Sequence, residues 1–293
     1  MAIEKILVTG SNGQLGSEIN KLASTLPQFN FLFHDVDTLD ITDLKSLTNF
    51  FEENRPDYIV NCAAYTAVDK AETDIEKAYL INDKAVENLA KVAAQFNARI
   101  IHGSTDYVFD GINHRPYIET DQTNPVSVYG KSKIAGEKHL ANMGNAIIIR
   151  TAWLYSSFGN NFAKTVIRLG KEKKELRMIC DQVGTPTYAA DLADAIAKIL
   201  KRSVENTNGF VPGIYHFSNE GACSWYDFAS EIVLQCNLSC KVFPIETKDY
   251  PTPAKRPSYS VFNKLKIKET FGIEIPWWKE SLKVCLKLIA NVS

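Results

Sequence analysis

The residues best suited to chemistry are a tyrosine and a lysine four positions apart. Tyr129 and Lys133 lie in a segment with helical periodicity, and this spacing places both side chains on one face of a helix. A lysine ammonium stabilises a phenolate, so it lowers a tyrosine pKa that is about 10 in the free side chain. Such a pair can protonate a ketone oxygen while hydride reaches the carbon. Of the twelve tyrosines, Tyr129 alone has a lysine at this spacing; a solvent-exposed helix face is the alternative.

A polar turn directly follows the predicted strand Arg99–His102. It contains Ser104, Thr105 and Asp106. Because the carboxyl ends of parallel strands face the ligand crevice, we expect Thr105 to hydrogen-bond a substrate carbonyl oxygen and to help Tyr129 polarise it. The alternative is a turn of small polar residues without a role in binding.

Three glycines lie between the first predicted strand and the first predicted helix. Gly10, Gly13 and Gly16 have the spacing G-x-x-G-x-x-G. Glycine lets the chain turn sharply and lets a pyrophosphate approach the backbone, and the helix that follows presents free N–H groups to the anion. The pattern in this position predicts a dinucleotide-binding loop, whereas glycines alone would indicate only a turn.

Acidic residues follow the second predicted strand. Asp35 closes that strand, where a carboxylate can accept hydrogen bonds from the adenosine ribose. Asp37 and Asp40 come next, with no adjacent arginine to bind a 2′-phosphate, which favours NADH over NADPH without excluding either. Ala63–Thr66, after the third strand, should lie along the cofactor.

Short apolar runs alternate with helical periods through the first half of the chain, which predicts parallel β-α-β units. The predicted strands are Ile6–Thr9, Phe29–His34, Tyr58–Cys62, Arg99–His102 and Ala146–Ile149, and the predicted helices are Gln14–Leu26, Leu44–Phe51, Ile75–Phe96 and Val128–Leu140. We expect Thr42 to cap the second helix. The fold class is α/β, a Rossmann-like doubly wound parallel sheet with a smaller C-terminal α/β domain. Residues 1–150 form the dinucleotide-binding domain, onto which later segments can pack back, and residues 151–293 are mainly a substrate-binding domain, the boundary being approximate.

The composition excludes several classes of partner. The 293 residues include 33 basic and 34 acidic side chains, a formal charge of −1, so neither nucleic acid nor an anionic membrane is expected to bind. The six cysteines contain no C-x-x-C pair, which favours reduced thiols over a zinc site. The sequence has no secretory signal and no apolar run long enough to span a bilayer, and we predict a cytoplasmic protein.

Segments along nearly the whole chain have the character of one enzyme family. They are Gly10–Gly16, Asn61–Glu72, Ser104–Asp110, Pro125–Glu137, Arg150–Tyr155, Asn160–Lys164, Asp181–Thr187 and Pro251–Pro257. The chain resembles the extended short-chain dehydrogenase/reductase family and, within it, the dTDP-4-dehydrorhamnose reductases. This resemblance implies reduction of the 4-keto group of dTDP-4-dehydro-L-rhamnose to dTDP-L-rhamnose, with NADPH or NADH as the cofactor.

The resemblance also implies roles for individual residues. Tyr129 would be the acid, Lys133 would hold the nicotinamide ribose, Thr105 and Asp106 would contact the sugar, and Trp153 would pack against the sugar nucleotide. The residues lining the cofactor would be Gly13, Gln14, Leu15, Asp35, Asp40, Ile41, Ala64, Tyr65, Thr66 and Gly103. We add Arg256 as a candidate diphosphate contact, with a structural salt bridge as the alternative.

Two features separate this chain from relatives of that family. Some members form a magnesium-linked dimer through acidic residues, one of them near the C-terminus; this sequence ends Asn291-Val-Ser293, so we expect no metal and a monomer or weak homodimer. Tyr107 stands where nucleotide-sugar 4,6-dehydratases carry glutamate, which argues against elimination. Another nucleotide-sugar reductase, a 4-epimerase and a non-catalytic regulatory subunit, like that of methionine adenosyltransferase, stay open.

Overall fold

The computed structural model describes residues 3–292. Met1, Ala2 and Ser293, on which the predictions about the two chain ends partly fall, lie outside the described residues. The strands are β1 (Glu4–Thr9), β2 (Phe29–His34), β3 (Tyr58–Asn61), β4 (Arg99–Thr105), β5 (Ala146–Thr151), β6 (Leu154–Tyr155), β7 (Glu175–Ile179), β8 (Val183–Gly184), β9 (Thr187–Tyr188), β10 (Gly213–His216), β11 (Cys223–Ser224) and β12 (Lys241–Ile245). The helices are α1 (Gln14–Ala23), α2 (Leu44–Asn54), α3 (Val68–Ala71), α4 (Ile75–Tyr79), α5 (Ala85–Phe96), α6 (Val128–Ala141), α7 (Phe162–Glu172), α8 (Ala189–Glu205), α9 (Trp225–Gln235), α10 (Leu265–Phe271) and α11 (Trp278–Val292). None of the helices within residues 3–292 is long and apolar enough to cross a membrane.

Six parallel strands form the central sheet in the order β2-β1-β3-β4-β5-β10. Their apolar side chains are buried on both faces, because α1 and α8 cover one face while α2, α5 and α6 cover the other. The predicted doubly wound α/β fold is confirmed. The connection after β1 leads to one side and the connection after β2 crosses to the other, so a topological switch point lies between β1 and β3.

The second half of the chain builds a smaller cluster of elements. Six of its short strands pair two by two, β6 with β9, β7 with β12 and β8 with β11. Helices α7, α9 and α11 pack together around a separate apolar core. Strand β10 pairs with β5 at the edge of the central sheet. The division into domains near residue 150 stays a prediction.

One predicted helix is interrupted. Periodicity predicts a continuous helix over Ile75–Phe96, but five residues between α4 and α5, Leu80–Lys84, form a π-helix. The widened turn carries Asn82 inward, where its side chain bonds the backbone of Tyr65 and the Ser132 hydroxyl. A Cβ on Gly136 of α6 would overlap the Asn82 carbonyl oxygen. The π-helix therefore lets α6 approach closely, and π-bulges are often found beside functional sites.

The predicted cap of α2 is wrong. Asp43, not Thr42, is the N-cap, and its carboxylate accepts from the backbone N–H groups of Lys45 and Ser46. Thr42 instead donates its hydroxyl to the Asp40 carboxylate at 2.7 Å.

Candidate active site

The glycine loop lies at the switch point of the sheet. Gly10 has φ +65°, and a Cβ there would lie 2.6 Å from the backbone nitrogen of Ala63, at the end of β3. A Cβ on Gly16 would overlap the Gly10 carbonyl oxygen. These two glycines allow β1, β3 and α1 to meet closely, while Gly13 is the N-cap of α1.

The start of α1 can receive an anion. No side chain caps the helix at Gly13, so its first N–H groups point outward unpaired by a cap. Asp35 holds the loop against the end of β2, because its carboxylate accepts from the backbone N–H of Asn12 at 2.9 Å. We call the loop Gly10–Gly16 the cradle. It has no room for a Cβ at Gly10 or Gly16, and the N–H groups at the start of α1 are free of a side-chain cap, so it fits the pyrophosphate of a dinucleotide.

The other residues predicted to line the cofactor differ in their burial and in their contacts. Leu15 and Ile41 are buried in the apolar core, so only their backbones can face a ligand. Gln14 accepts from Asn161 at 3.0 Å and thereby ties the loop to the start of α7. The backbone of Tyr65 is fixed by Asn82 on both its N–H and its carbonyl. Asp40, Ala64 and Gly103 are half-buried and Thr66 is exposed.

Tyr129 lies in the first turn of α6 and is 8% exposed. The helix begins there because the Ser127 hydroxyl accepts from the backbone N–H of Gly130 at 3.1 Å. Burial raises the pKa of Tyr129 to about 12; a hydrogen bond with Thr105 works against this shift, and the Asp106 charge adds to it. Tyr129 is thus protonated at neutral pH and able to act as an acid.

Lys133 lies one turn further along α6 and is 1% exposed. Its ammonium donates to the carbonyl oxygen of Gly103 at 2.7 Å, which fixes the side chain at the carboxyl end of β4. Burial lowers the pKa of Lys133 to about 8, although the Glu137 charge opposes the shift. A lysine with this pKa can both release and recover a proton near neutral pH.

Thr105 and Asp106 follow β4 directly and are 5% and 2% exposed. The Thr105 hydroxyl donates to an Asp106 carboxylate oxygen at 3.0 Å and lies close to the Tyr129 phenol. Burial raises the pKa of Asp106 to about 6, against hydrogen bonds from Ser260 and Thr105. The structure therefore brings Thr105, Asp106 and Tyr129 together, as the sequence predicted.

Trp153 has a partner that the sequence did not indicate. Its ring stacks on Trp225 with centroids 3.5 Å apart and planes 9° from parallel. The backbone of Trp153 has φ +49°, an unusual conformation for a bulky residue and one often found at ligand sites. One face of the predicted sugar-nucleotide platform is thus covered by Trp225 from α9.

Arg256 forms the salt bridge that was the alternative to a diphosphate contact. Its guanidinium makes a two-pronged bond to Asp69, at 2.9 and 2.7 Å. The pair lies close to Tyr107, whose ring meets Tyr129 edge-on with centroids 5.4 Å apart. A diphosphate role for Arg256 stays a prediction, since the guanidinium is still 22% exposed.

Sequence reasoning missed three residues of the site. His102 and Asn61 line a buried path behind Lys133, and Trp225 supports Trp153. A polar side chain inside an otherwise apolar strand was the available signal for His102 and Asn61. Nothing local marks Trp225. Among residues 3–292, no three His, Cys, Asp or Glu side chains are grouped to hold a metal ion.

Extended short-chain reductases transfer hydride to a carbonyl group with a tyrosine acid, a nearby lysine and a glycine loop for the cofactor pyrophosphate. Tyr129, Lys133 and Gly10–Gly16 supply these parts here. The sequence model described as RmlD substrate binding domain matches residues 4–291, and the chain belongs to this family. It is 40% identical over 294 residues to a dTDP-4-dehydrorhamnose reductase of Burkholderia thailandensis, covering 97% of this chain and 98% of the relative.

Two solved structures are similar over their whole length. A dTDP-4-dehydrorhamnose reductase from Clostridium acetobutylicum superposes with a TM-score of 0.92 at 44% identity, covering 98% of this chain and 99% of the other. One from Bacillus anthracis in complex with NADP has a TM-score of 0.92 at 37% identity with the same coverage. The resemblance that the sequence motifs indicated is confirmed.

Proposed function

We propose that this protein catalyses the NAD(P)H-dependent reduction of the 4-keto group of dTDP-4-dehydro-L-rhamnose, yielding dTDP-L-rhamnose for nucleotide-sugar biosynthesis. The observation that carries the proposal is the grouping of three side chains. Tyr129 is buried close to Thr105, and Lys133, one helical turn further along α6, is fixed at the carboxyl end of β4. Relatives of similar length and about 40% identity bear the name of this reductase.

The residues present fit a nicotinamide dinucleotide. The α1 N-terminus at Gly13 would hold the pyrophosphate, Asp35 would face the adenosine ribose, and Lys133 would reach the nicotinamide ribose. The reduced nicotinamide supplies the hydride. Both NADPH and NADH are candidate cofactors: the carboxylate at the end of β2 favours NADH, while the Bacillus anthracis relative is in complex with NADP.

The side chains of this chain then handle the proton and orient the ketone. The Thr105 hydroxyl holds the C4 oxygen, and Tyr129 donates its phenolic proton to that oxygen as negative charge develops. Lys133 stabilises the phenolate that remains and returns a proton to it. Asp106 fixes the Thr105 hydroxyl, and Trp153 provides a flat surface for the sugar nucleotide.

The test is cofactor absorbance with freshly generated dTDP-4-dehydro-L-rhamnose, run separately with NADH and NADPH. We expect substrate-dependent decay, with dTDP-L-rhamnose as the product. Tyr129→Phe should bind the dinucleotide normally yet lose at least about a hundredfold in kcat, the usual contribution of a general acid. A Phe variant with near-normal turnover would contradict the assignment of the acid.

The alternatives give different results in the same assay. A 4-epimerase would purify with tightly bound NAD and interconvert C4 epimers without net oxidation of added cofactor. A regulatory subunit would bind the dinucleotide but show no decay. Elimination of the 4,6-dehydratase kind lacks support, because the ordinary pKa of a phenol is already far above that of the glutamate that Tyr107 replaces, and desolvation raises the pKa of Tyr107 further. A cytoplasmic location and a monomer or weak homodimer complete the proposal.

A further inference from the structure

A line of buried polar side chains runs behind Lys133 through the central sheet. Thr9, Asn61 and His102 are paired neighbours on β1, β3 and β4, so their side chains share one face of the sheet. They are 2%, 1% and 0% exposed. Polar groups buried so deeply in an apolar sheet destabilise it unless they are hydrogen-bonded, so this line calls for an explanation beyond packing.

The side chains connect in series. The Thr9 hydroxyl lies 2.7 Å from Asn61 Oδ1, Asn61 Nδ2 lies 2.9 Å from His102 Nδ1, and His102 Nε2 lies 3.4 Å from Lys133 Nζ. Of these residues, only Lys133 reaches the reaction site.

We propose that Asn61 locks His102 in the tautomer with its proton on Nε2, so that Lys133 faces an N–H donor that favours its neutral amine over its ammonium form. The effect on catalysis rests on the proposed reduction, whereas the tautomer itself does not.

The direction of the hydrogen bonds follows from one backbone group. The N–H of Ala63 can only donate, and it lies 3.1 Å from Asn61 Oδ1. The Asn61 amide therefore turns its NH2 group toward His102, and Nδ1 of the ring must accept that proton. A neutral imidazole whose Nδ1 accepts carries its proton on Nε2, the atom that faces Lys133.

His102 stays neutral at working pH. Burial, and then the charge of Lys133, hold the pKa of His102 well below its usual range. An ammonium has no lone pair and cannot accept from Nε2–H, whereas a neutral amine can accept from it and still donate to the Gly103 carbonyl. The pKa of Lys133, which burial lowers to about 8, agrees with this arrangement.

The charged and titratable groups near Lys133 come from α6, β5 and β4. On its own helix, Glu137 favours the ammonium and Tyr129 lies one turn earlier. From β5, Arg150 binds the Glu137 carboxylate at 2.7 Å and so reduces the pull of Glu137 on Lys133. The group that meets Nζ from β4 is His102.

The consequence for the reaction is a lysine that gives up its proton readily. After Tyr129 has protonated the C4 oxygen, its phenolate needs a proton. The Lys133 ammonium, which has no acceptor on the His102 side, gives one proton to the phenolate and becomes the neutral amine that accepts from His102 Nε2–H. His102 and Asn61 touch neither substrate nor cofactor in this account, so they are positioning residues that act through Lys133.

The first test reads the tautomer directly in the intact protein by ¹⁵N NMR of labelled histidine. His102, assigned by loss of its signals in His102→Gln, should show the Nε2–H pattern. His216 is an internal reference of the opposite kind, because this buried ring faces the Tyr117 carbonyl through Nδ1 at 3.0 Å and should carry Nδ1–H. An Nδ1–H pattern for His102 would overturn the proposal whatever the protein catalyses.

The second test reads the effect on Lys133 from the alkaline limb of kcat, which should have its midpoint near pH 8. Asn61→Asp accepts from Nδ1–H and turns Nε2 into an acceptor for the ammonium, so the midpoint should rise by about one unit or more. Asn61→Ala releases the ring without adding charge and should move the midpoint in the same direction. His216→Gln, which removes another buried imidazole, should leave it in place.

The outcomes are separable. A rise of the midpoint in Asn61→Asp but not in Asn61→Ala would assign the effect to charge and refute the tautomer mechanism. An unchanged midpoint in both folded variants would also refute the tautomer mechanism. Absence of any reductase activity would refute the proposed function, while the ¹⁵N pattern would still decide the tautomer.

Discussion

The free energy of unfolding of Asp106→Asn, taken relative to that of the wild type, should be higher above pH 6 than at pH 4. Burial raises the pKa of this carboxyl from its ordinary value of 3.8 to about 6. The folded protein therefore binds the Asp106 proton more tightly than the unfolded chain does. The contribution of Asp106 to wild-type stability therefore falls as the pH rises from about 4 to about 6, whereas asparagine does not titrate.

The magnitude follows from the size of the shift. About two pKa units correspond to about 3 kcal/mol, an order-of-magnitude figure for a group this deeply buried. This is the pH-dependent part of the difference in unfolding free energy between Asp106→Asn and the wild type. Any constant offset from altered hydrogen bonds to Thr105 or Ser260 is the same at every pH and cancels.

The assay is urea unfolding of both proteins at several pH values from 4 to 8, followed by fluorescence. Asp181→Asn is a control without this trend: desolvation is outweighed by hydrogen bonds from Thr247, which hold the pKa of this exposed carboxyl below 3.8, so its removal should cost nearly the same stability at every pH from 4 to 8. A gap between Asp106→Asn and the wild type that stays constant over the range would refute the electrostatic reasoning.

Two further sets of variants test the cradle and the aromatic platform. Gly10→Ala should destabilise the fold, since its Cβ would lie 2.6 Å from the Ala63 backbone nitrogen at φ +65°. Gly13→Ala should cost less stability, because its Cβ would lie 3.2 Å from the Gly10 carbonyl oxygen, and it should bind dinucleotide about tenfold or more weakly, a loss of about 1.4 kcal/mol. Equal losses of stability in both variants would contradict this division. Trp225→Ala removes an aromatic pair worth about 1 kcal/mol, so it should raise KM for the sugar nucleotide by up to about tenfold and leave dinucleotide affinity unchanged. Trp225→Phe should keep most of the stacking and therefore a KM close to that of the wild type. Stopped-flow titration and steady-state kinetics would measure these effects, and an unchanged KM in Trp225→Ala would show that the support of Trp153 is not needed.

The central sheet was predictable because its signals are local. Each of its strands is a short apolar run, and β2 begins and ends at the residues predicted, Phe29 and His34. The glycine spacing likewise indicated the loop at Gly10, since the demand for positive φ and close approach is met by one residue type. Periodicity did not reveal the π-helix at Leu80–Lys84, because the partners of its inward-facing residue Asn82 are Tyr65 and Ser132, which are distant in sequence.

The strand β12 was missed for a similar reason. Lys241–Ile245 contains a proline and has only one neighbour, β7, with which it pairs in parallel some sixty residues away in sequence. Its existence depends on a pairing that local patterns do not encode. The cap of α2 was misplaced by one residue because Thr42 and Asp43 are adjacent and both are residue types that cap helices, so the local sequence does not decide between them.

The same distinction explains what the sequence could say about the site. Tyr129, Lys133 and Thr105 are recognisable because chemistry restricts their types and a helix or strand end fixes their spacing. What sets their proton affinities is contributed by residues far away in sequence. His102 and Asn61 lie 31 and 72 positions before Lys133. His102 meets Lys133 from β4, and Asn61 reaches His102 because β3 and β4 are neighbours in the sheet. A motif can therefore name the acid and its lysine, but the pH at which they work is a property of the folded sheet behind them.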